Sequence, residues 1–265
     1  MLRKDDKALN RLDLQKIIAH CKGDYHIELL EEADSTNRLL RQAAEGGAPE
    51  GSVLFALHQT AGKGRMGRSF FSPAGSGLYF SVLLRPQAMA DGMMITAAAG
   101  VAVAEAVQKV LGIDLKIKWV NDLYLGNKKV CGILAESAMD GKGGFDYCIL
   151  GIGLNVFEPS HWEEDLSRIA GALLPQRREN VMEPLAAAIL DRFFDWYQNL
   201  SDPRLMEEYR NRSFLQGKKV TAVRGAERIK GEVQGISDGG ELLLRTEGGE
   251  LLAICSGEVR LEDYR

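Results

Sequence analysis

The stretch from residue 58 to residue 71 most strongly constrains what this chain can fold into and bind. It reads His-Gln-Thr-Ala-Gly-Lys-Gly-Arg-Met-Gly-Arg-Ser-Phe-Phe. Three glycines let the backbone bend tightly and approach a ligand: Gly62, Gly64 and Gly67. Three cations stand on the same bend: Lys63, Arg65 and Arg68. Because phosphate is bound by guanidinium forks and exposed backbone N–H groups, the stretch predicts a phosphate-binding loop.

Two other interpretations of this loop stay open on its residues alone. Its glycine spacing fits the dinucleotide pattern G-x-G-x-x-G, but a dinucleotide turn opens a helix. Here the chain continues through Phe-Phe-Ser-Pro at residues 70–73 into an apolar run at 78–84, which is typical of a strand. The other alternative is a mobile basic surface loop that only joins two strands.

Composition limits the classes of partner and compartment. A chain of 265 residues holds one large domain, or one and a smaller second domain. Its net charge of -4 disfavours general binding to nucleic acid or an anionic membrane. Four scattered cysteines without a C-x-x-C pair predict neither disulfides nor zinc, but a reducing cytoplasm: Cys21, Cys131, Cys148 and Cys255. The apolar run at 93–107 is too short for a bilayer span, and no signal core follows the charged N-terminus.

Polar residues precede the first well-marked helix. Helical spacing predicts one helix within residues 8–21, and a strand is expected at 27–33. Asp34, Ser35, Thr36 and Asn37 then lead into a helix at 38–45. Helix capping explains one of these four residues. The surplus of hydroxyl and amide groups at a positively polarised helix start predicts a polar ligand site.

The remaining pattern alternates strands and helices. Residues 52–58 and 78–84 are expected to be the strands on either side of the basic loop. Further strands are expected near 117–119, in a hairpin at 127–136 and at 147–152. Helices are predicted at 91–111, 166–173, 184–200 and 203–212.

The texture changes at about residue 217. Five short strands follow, separated by tight glycine turns, and they are typical of an SH3-like barrel: 220–223, 229–236, 242–245, 251–254 and 259–261. We therefore predict three parts: a short N-terminal helical extension at 1–24, a main domain at 25–214 and a small C-terminal domain at 215–265.

Five motifs in this order resemble those of the biotin–protein ligases, over residues 33 to 260. The motifs are Ser35-Thr36-Asn37, the loop at 62–68, Lys118-Trp119-Val120-Asn121-Asp122, the segment Lys129-Val130-Cys131-Gly132-Ile133-Leu134 and Gly151-Ile152-Gly153-Leu154-Asn155. The resemblance implies an α+β fold: a mixed sheet flanked by helices, like the class II aminoacyl-tRNA synthetases, followed by an SH3-like barrel.

The resemblance also implies an activity and its partners. Such ligases convert biotin and MgATP into biotinyl-5'-AMP and pyrophosphate, then pass biotin to a lysine of a biotin carboxyl carrier protein. Relatives with an N-terminal DNA-reading unit also repress transcription. The segment before residue 25 cannot hold three helices, so we expect a short form without a repressor role. Many relatives form homodimers through the sheet.

The family's site residues transfer to matching positions of this chain. The resemblance implies that biotin is bound by Ser35, Thr36, Asn37, Gln59, Gly62, Lys63, Arg65, Lys129 and Gly132. It implies that ATP is bound by Lys63, Arg65, Arg68, Phe70, Asn121, Lys129 and Asn155, with Asn155 reading adenine. The implied catalytic residues are Arg65, Lys129 and Asp122. Asn121 and Asp122 are the implied Mg²⁺ ligands, and whether Asp122 acts as metal ligand or as base stays open.

The chain departs from the family pattern at three positions. Lys63 stands where relatives often have Arg, Val120 where they have Pro, and Phe70 where they have Trp. Lys63 keeps the charge but lacks the bidentate fork. Phe70 keeps the aromatic stack and lacks the indole N–H. Neither of these two changes removes a chemical role.

Two other functions stay open. A ligase for lipoate or octanoate would share the fold but carry different glycine and basic motifs. A non-catalytic biotin sensor or DNA-binding regulator would tolerate the loss of Asp122, which is present here.

Overall fold

The computed structural model describes residues 12–86, 91–141 and 144–261. The helices are α1 Leu14–His20, α2 Thr36–Glu45, α3 Asp91–Leu111, α4 Met182–Tyr197 and α5 Pro203–Arg212. The first seven strands are β1 His26–Ala33, β2 Ser52–Gln59, β3 Gly77–Leu84, β4 Lys116–Lys118, β5 Asp122–Leu125, β6 Lys128–Met139 and β7 Phe145–Asn155. The last five are β8 Lys219–Arg224, β9 Glu227–Ile236, β10 Leu242–Thr246, β11 Leu251–Ile254 and β12 Glu258–Leu261.

The first seven strands form one mixed sheet in the order β1-β2-β3-β7-β6-β5-β4. Strands β1 and β2 are parallel, and every other neighbouring pair is antiparallel. Strand β3 is buried along its whole length, and its side chains alternate between the two faces of the sheet. Phe80 and Val82 join the larger core with α3 and α4, whereas Leu83 joins a smaller core beneath α2. Helices therefore cover both faces of the sheet, as the predicted α+β fold requires.

Helix α3 runs through the larger core. Its alanines, among them Ala97, Ala98 and Ala102, are at most 2% exposed and let the helix lie close to its neighbours. The helix is longer than the apolar run in the sequence: the segment Gly92–Leu111 is long and apolar enough to cross a membrane, contrary to our expectation. However, 67% of its apolar window is buried inside the protein, which is typical of a core helix.

The last five strands form a second, antiparallel sheet in the order β11-β10-β9-β8-β12. All five agree with the predicted strands to within a few residues at each end. The indole N–H of Trp119 donates a hydrogen bond of 2.8 Å to the carbonyl of Gly240, which ties this sheet to the main one. The strand order establishes a C-terminal sheet, and its closure into an SH3-like barrel stays a prediction, as do the three domain boundaries.

Three local expectations change. The predicted helix at 8–21 is α1, capped by Asp13, whose carboxylate accepts the N–H of Gln15 at 2.9 Å; residues before 12 lie outside the described part. The predicted helix at 166–173 is wrong, because only a 3₁₀ turn at Leu166–Arg168 forms and Ala170 bridges to β6. Strand β5 is not predicted, because the pair Asn121-Asp122 is typical of a turn that ends a strand. Asp122 instead begins β5, which pairs with β4 and β6.

Candidate active site

One cavity collects most of the predicted site residues. Its lining combines converging polar and charged groups with apolar side chains such as Trp119 and Ile133, which is typical of a small-molecule site. Its walls are the start of α2, the end of β2, the basic loop, the β4–β5 turn, the middle of β6 and β7, and the start of β12. Of the predicted residues it is lined by Ser35, Thr36, Asn37, Gln59, Lys63, Arg65, Arg68, Phe70, Asn121, Asp122, Lys129 and Gly132.

The start of α2 forms a polar end of this cavity. Ser35 is the N-cap residue, yet its side chain caps no backbone N–H and makes no hydrogen bond within the described part of the chain. Gln59 Oε1 accepts from the Thr36 backbone N–H at 2.9 Å and from the Thr36 hydroxyl at 3.1 Å. Ser35 and Thr36 are 2% and 3% exposed. The Ser35 hydroxyl lines the cavity and is open to a hydrogen bond from a ligand, so this end suits a ligand with polar edges.

A hydrogen-bond network behind the polar end was not predicted. Ser81, fully buried on β3, lies within hydrogen-bond distance of Thr36 Oγ1 (2.8 Å) and Asn37 Oδ1 (2.6 Å), and its one proton serves either acceptor. The Asn37 amide donates to Glu136 at 2.8 Å, and Arg41 donates to the other oxygen of that carboxylate at 2.8 Å. The sequence signal for Ser81 was a lone serine within an apolar strand.

The basic loop is a short hairpin tied to the polar end. Lys63 and Ser69 form an isolated antiparallel bridge, and the Gly64 N–H donates to the Arg68 carbonyl at 2.7 Å. Gln59 Nε2 donates to the Ser72 hydroxyl at 3.0 Å, which in turn donates to the Phe70 carbonyl at 3.0 Å. The same amide therefore holds α2 with its oxygen and the loop with its nitrogen.

Glycines make room for the loop against the sheet. A Cβ on Gly62 would lie 2.5 Å from the Phe70 carbonyl oxygen, so a side chain there would force the hairpin apart. A Cβ on Gly153 would overlap the Phe70 ring, and one on Gly132 would lie 3.1 Å from it. Gly62 does not line the cavity, but it shapes the loop that does. Phe70 thus packs across the glycine-lined floor between β6 and β7.

Asp122 and Lys129 lie at the centre of the cavity. Lys129 Nζ is 2.7 Å from Asp122 Oδ1, and both side chains are partly buried. Asp122 Oδ1 is buried and accepts no hydrogen bond from the described residues, so its interaction with Lys129 is an ion pair. Asn121 Oδ1 accepts from Arg65 Nη1 at 3.0 Å, and its amide donates to the Ile133 carbonyl at 2.8 Å.

These contacts bear on the predicted Mg²⁺ site. Among the described residues no cluster of three His, Cys, Asp or Glu side chains surrounds a possible metal position. Mg²⁺ is usually held by one or two carboxylates together with substrate phosphates. Asp122 supplies a carboxylate at the cavity centre, whose Oδ1 accepts no hydrogen bond from the described residues and faces the Lys129 ammonium. Asn121 fits less well, because its oxygen is already bound by Arg65.

Charge in the cavity is predominantly positive. Burial lowers the pKa of the Arg65 guanidinium, and the carboxylates of Asp122 and Glu258 oppose that shift. Five cationic side chains and two carboxylates line the cavity: Lys63, Arg65, Arg68, Lys118 and Lys129, with Asp122 and Glu258. A cavity with this excess of positive charge suits a polyanionic ligand.

Two of these charged residues were not predicted as site residues. Lys118 belongs to a motif quoted for the family, but its side chain was assigned no role. Glu258 stands at the start of β12 in the C-terminal sheet and forms an ion pair with Arg68. No local pattern in the sequence indicated Glu258, because its position depends on how the two sheets pack.

Asn155, predicted to read adenine, does not line this cavity. It is 7% exposed, and its amide donates to the Gly171 carbonyl at 3.0 Å. The segment after the 3₁₀ turn pairs with Lys129, whose N–H donates to the Ile169 carbonyl at 2.8 Å. Asn155 is thus turned toward this segment, and its role in reading adenine stays a prediction.

Comparison with known families gives two matches along the chain. Residues 29–155 match the biotin/lipoate A/B protein ligase family. Residues 216–261 match the biotin protein ligase C-terminal domain. The first match contains the polar end, the basic loop, Asp122 and Lys129, and the second contains Glu258.

Individual relatives are similar over most of their length. The chain is 31% identical to a biotin--[acetyl-CoA-carboxylase] ligase of Mycobacterium tuberculosis, over 96% of this chain and 94% of the relative. It is 30% identical to the bifunctional ligase/repressor BirA of Bacillus subtilis, over 89% of this chain and 74% of that protein. Among solved structures, the biotin protein ligase from Aquifex aeolicus in complex with biotin and ATP superposes with a TM-score of 0.74, at 30% identity, over 89% of this chain and 98% of the other.

Proposed function

Because the chain belongs to the biotin protein ligase family, we propose that it activates biotin with ATP and transfers the biotinyl group to a lysine of a carrier protein. The observation that carries this proposal is that one cavity gathers the residues both steps need. It combines a polar end able to hold a small ring, a central Lys129–Asp122 pair and a basic loop across them.

The geometry supports one orientation of biotin. Its ureido ring would lie at the polar end, where the Ser35 side chain caps no helix N–H and Thr36 and Gln59 present polar edges. Its chain would run beside Phe70, whose ring covers the glycines of β6 and β7. Its carboxylate would then reach Lys129 and Arg65.

In the first step, the carboxylate oxygen attacks the α-phosphorus of ATP. A new oxygen–phosphorus bond forms as the bond from the α-phosphorus to its bridging oxygen breaks, and that electron pair leaves with pyrophosphate. Two anions approach each other, so Arg65 and Lys129 lower the barrier by offsetting charge as it develops. The product is biotinyl-5'-AMP, a mixed anhydride that hydrolyses when water reaches it, and the closed loop excludes water.

In the second step, a neutral lysine amine of the carrier attacks the acyl carbon. The carbon–nitrogen bond forms, the acyl–oxygen bond to AMP breaks, and the amine proton leaves to a base. Asp122 is the carboxylate of the cavity closest to the reacting atoms in this orientation. It is therefore the candidate base for this proton.

Mg²⁺, when bound, would offset phosphate charge, and Asp122 is the residue that suits it. This assignment has a readout independent of activity. In the presence of ATP, electron paramagnetic resonance should detect Mn²⁺ binding to the protein that Asp122→Asn weakens and that Asn121→Ala changes less. Equal weakening by both variants would contradict the preference for Asp122.

Several finer expectations belong to this proposal. The carrier is expected to be a biotin carboxyl carrier domain of a carboxylase, and the compartment the cytoplasm. The main domain is expected to be of the class II synthetase type with an SH3-like C-terminal barrel, and a homodimer is expected through the sheet. A role as transcriptional repressor is not expected, and a gel shift on biotin-operator DNA should be negative.

Biotin-dependent exchange of labelled pyrophosphate into ATP tests the function directly. We expect exchange with biotin and none without it. A folded protein without biotin-dependent exchange would refute the proposal. Competition between biotin and lipoate in the same assay separates the biotin ligase from a lipoate or octanoate ligase.

A further inference from the structure

The carboxylate of Glu136 lies behind the polar end of the cavity, and the reaction above assigns it no role. Glu136 stands on β6, outside the cavity lining, and its side chain is 25% exposed. One carboxylate oxygen accepts from Arg41 Nη2 at 2.8 Å, and the other accepts from Asn37 Nδ2 at 2.8 Å. Asn37 in turn lines the cavity. Glu136 is therefore separated from a bound ligand by one side chain.

These contacts fix the direction in which the Asn37 amide points. Two acceptors face the same amide atom, Glu136 Oε2 at 2.8 Å and the Leu134 carbonyl oxygen at 3.5 Å. Only the nitrogen of the amide donates, so this atom is Nδ2. The amide oxygen, Oδ1, then faces Ser81 Oγ at 2.6 Å. The reversed amide would place its oxygen against a carboxylate.

The fixed oxygen of Asn37 decides how the neighbouring hydroxyl protons are arranged. Because this oxygen carries no proton, its contact with Ser81 needs the Ser81 proton. Ser81 has no second proton and is fully buried, so its 2.8 Å contact with Thr36 needs the Thr36 proton. Thr36 Oγ1, whose residue lines the cavity, then has only lone pairs left for a ligand.

The polar end thus has one hydrogen-bond donor too few. Three contacts run from Asn37 to Gln59: 2.6 Å to Ser81, 2.8 Å from Ser81 to Thr36 and 3.1 Å from Thr36 to Gln59 Oε1. Both ends of this chain only accept, and its two hydroxyls supply one proton each. A ligand N–H beside Thr36 and Gln59 would supply the missing donor. A ligand oxygen there would leave lone pairs facing each other.

We propose that Glu136, oriented by Arg41, is a positioning residue that makes the polar end select a ligand with an N–H group. It does so by holding the Asn37 amide in one direction. This inference rests on the proposed function, since the ureido ring of biotin carries two N–H groups. With the amide reversed, Asn37 would donate to Ser81, Ser81 to Thr36 and Thr36 to Gln59. Every contact would then have its proton, and the ligand would need no donor.

The test is Glu136→Gln, which keeps the size of the side chain. The Arg41 guanidinium only donates, so it attracts the oxygen of the new amide and turns the new amide nitrogen toward Asn37. Asn37 must then present its oxygen to that nitrogen and its own nitrogen to Ser81. The substitution should therefore reverse the chain of protons and leave Thr36 able to donate to a ligand oxygen.

The readout is ligand preference, measured by calorimetry without ATP. The ligands are biotin and its two cyclic carbamate analogues, in each of which one ureido N–H is replaced by an oxygen. Wild type should bind biotin at least about tenfold more tightly than the carbamate whose oxygen faces Thr36, the effect of one unsatisfied buried group. In Glu136→Gln this ratio should fall about tenfold, and for that carbamate alone. A variant that is only less stable would bind all three ligands more weakly and keep the ratio.

A double variant and a control complete the experiment. Adding Arg41→Met to Glu136→Gln frees the new amide oxygen to accept from Asn37, so the preference for biotin should return. The control is Glu45→Gln, because Glu45 accepts a hydrogen bond of 3.1 Å from the Tyr147 hydroxyl at the other end of α2, outside the cavity. Its ratio should equal that of wild type.

Three results would overturn the inference: an unchanged ratio in Glu136→Gln, an equal fall for both carbamates, or a ratio that stays low in the double variant. If the wild-type protein does not bind biotin at all, the proposed function fails instead. The two failures are therefore distinct.

Discussion

The guanidinium of Arg68, on the basic loop, forms an ion pair with the carboxylate of Glu258, 190 positions later at the start of β12. The pair joins the loop that crosses the cavity to the C-terminal sheet. Trp119, next to the central residues, is bound to the same sheet through the Gly240 carbonyl. The C-terminal sheet thus contacts two parts of the cavity wall. One is the basic loop, through Arg68, and the other is Trp119.

Loss of the Glu258 charge should loosen the loop. Because the Arg68 side chain is 59% exposed, the pair contributes about 0–1 kcal/mol. Glu258→Gln should therefore raise the initial rate of trypsin cleavage after Lys63, Arg65 or Arg68 by up to about fivefold. Glu227→Gln, which removes the partner of Arg224 on the same sheet, is the control. Unchanged cleavage in Glu258→Gln would mean that other contacts hold the loop.

The same pair predicts a pH dependence of loop protection. Burial alone would raise the pKa of Glu258, but the hydrogen bond from Arg68 and the nearby charges of Arg68, Arg260 and Lys118 outweigh it and lower the pKa. A lowered carboxyl pKa stabilises the folded form above the ordinary glutamate value of ~4.3, and this contribution disappears as the pH falls through the lower folded value. Hydrogen exchange of loop amides should therefore differ between wild type and Glu258→Gln at neutral pH and converge in acid. A constant difference down to the lowest pH at which the protein stays folded would contradict this.

Arg65 and Lys129 should fail in different ways when truncated. Arg65 binds Asn121 and belongs to the loop, so Arg65→Ala should release biotinyl-5'-AMP into solvent, where chromatography detects it. Lys129 lies at the cavity centre, so Lys129→Ala should slow adenylate formation, on the order of 10²-fold to 10³-fold. Lys128→Ala is the control, because the Lys128 ammonium donates to the Ser167 and Arg168 carbonyls outside the cavity. Normal formation and retention of the adenylate in both variants would contradict the phosphate-binding roles.

Replacing Gly151 by any residue with a side chain should disturb the polar end of the cavity. A Cβ there would overlap Asn37 Oδ1, and Asn37 is held by Ser81 and Glu136 in the buried network behind the polar end. Gly151→Ala should lower the free energy of unfolding by about 1–3 kcal/mol, as overpacking does, and should weaken biotin binding in calorimetry. Gly248→Ala, where the nearest atom to a new Cβ is 3.8 Å away, should do neither. Normal stability in Gly151→Ala would show that Asn37 moves without cost.

Much of the secondary structure was predictable because its signals are local. The apolar run of β3 and the short strands separated by glycine turns after residue 217 are visible in the local sequence, and α3 begins and ends at the predicted residues. Strand β5 and the segment at 166–171 were not predictable. Each is defined by backbone pairing with a strand that local sequence does not specify, β5 with β4 and β6, and Ala170 with Lys129.

By itself, the sequence determined the chemistry of the site. Residue types in short motifs supply the hydroxyl and amide groups at the start of α2, the glycines and cations of the loop, and the charges of Asp122 and Lys129. Only the tertiary structure decided which of them meet. It brought Glu258 to Arg68, placed Lys118 in the cavity wall and turned Asn155 toward Gly171. The physical reason is that a contact between distant residues depends on how whole sheets and helices pack, and no pattern of neighbouring residues encodes that distance.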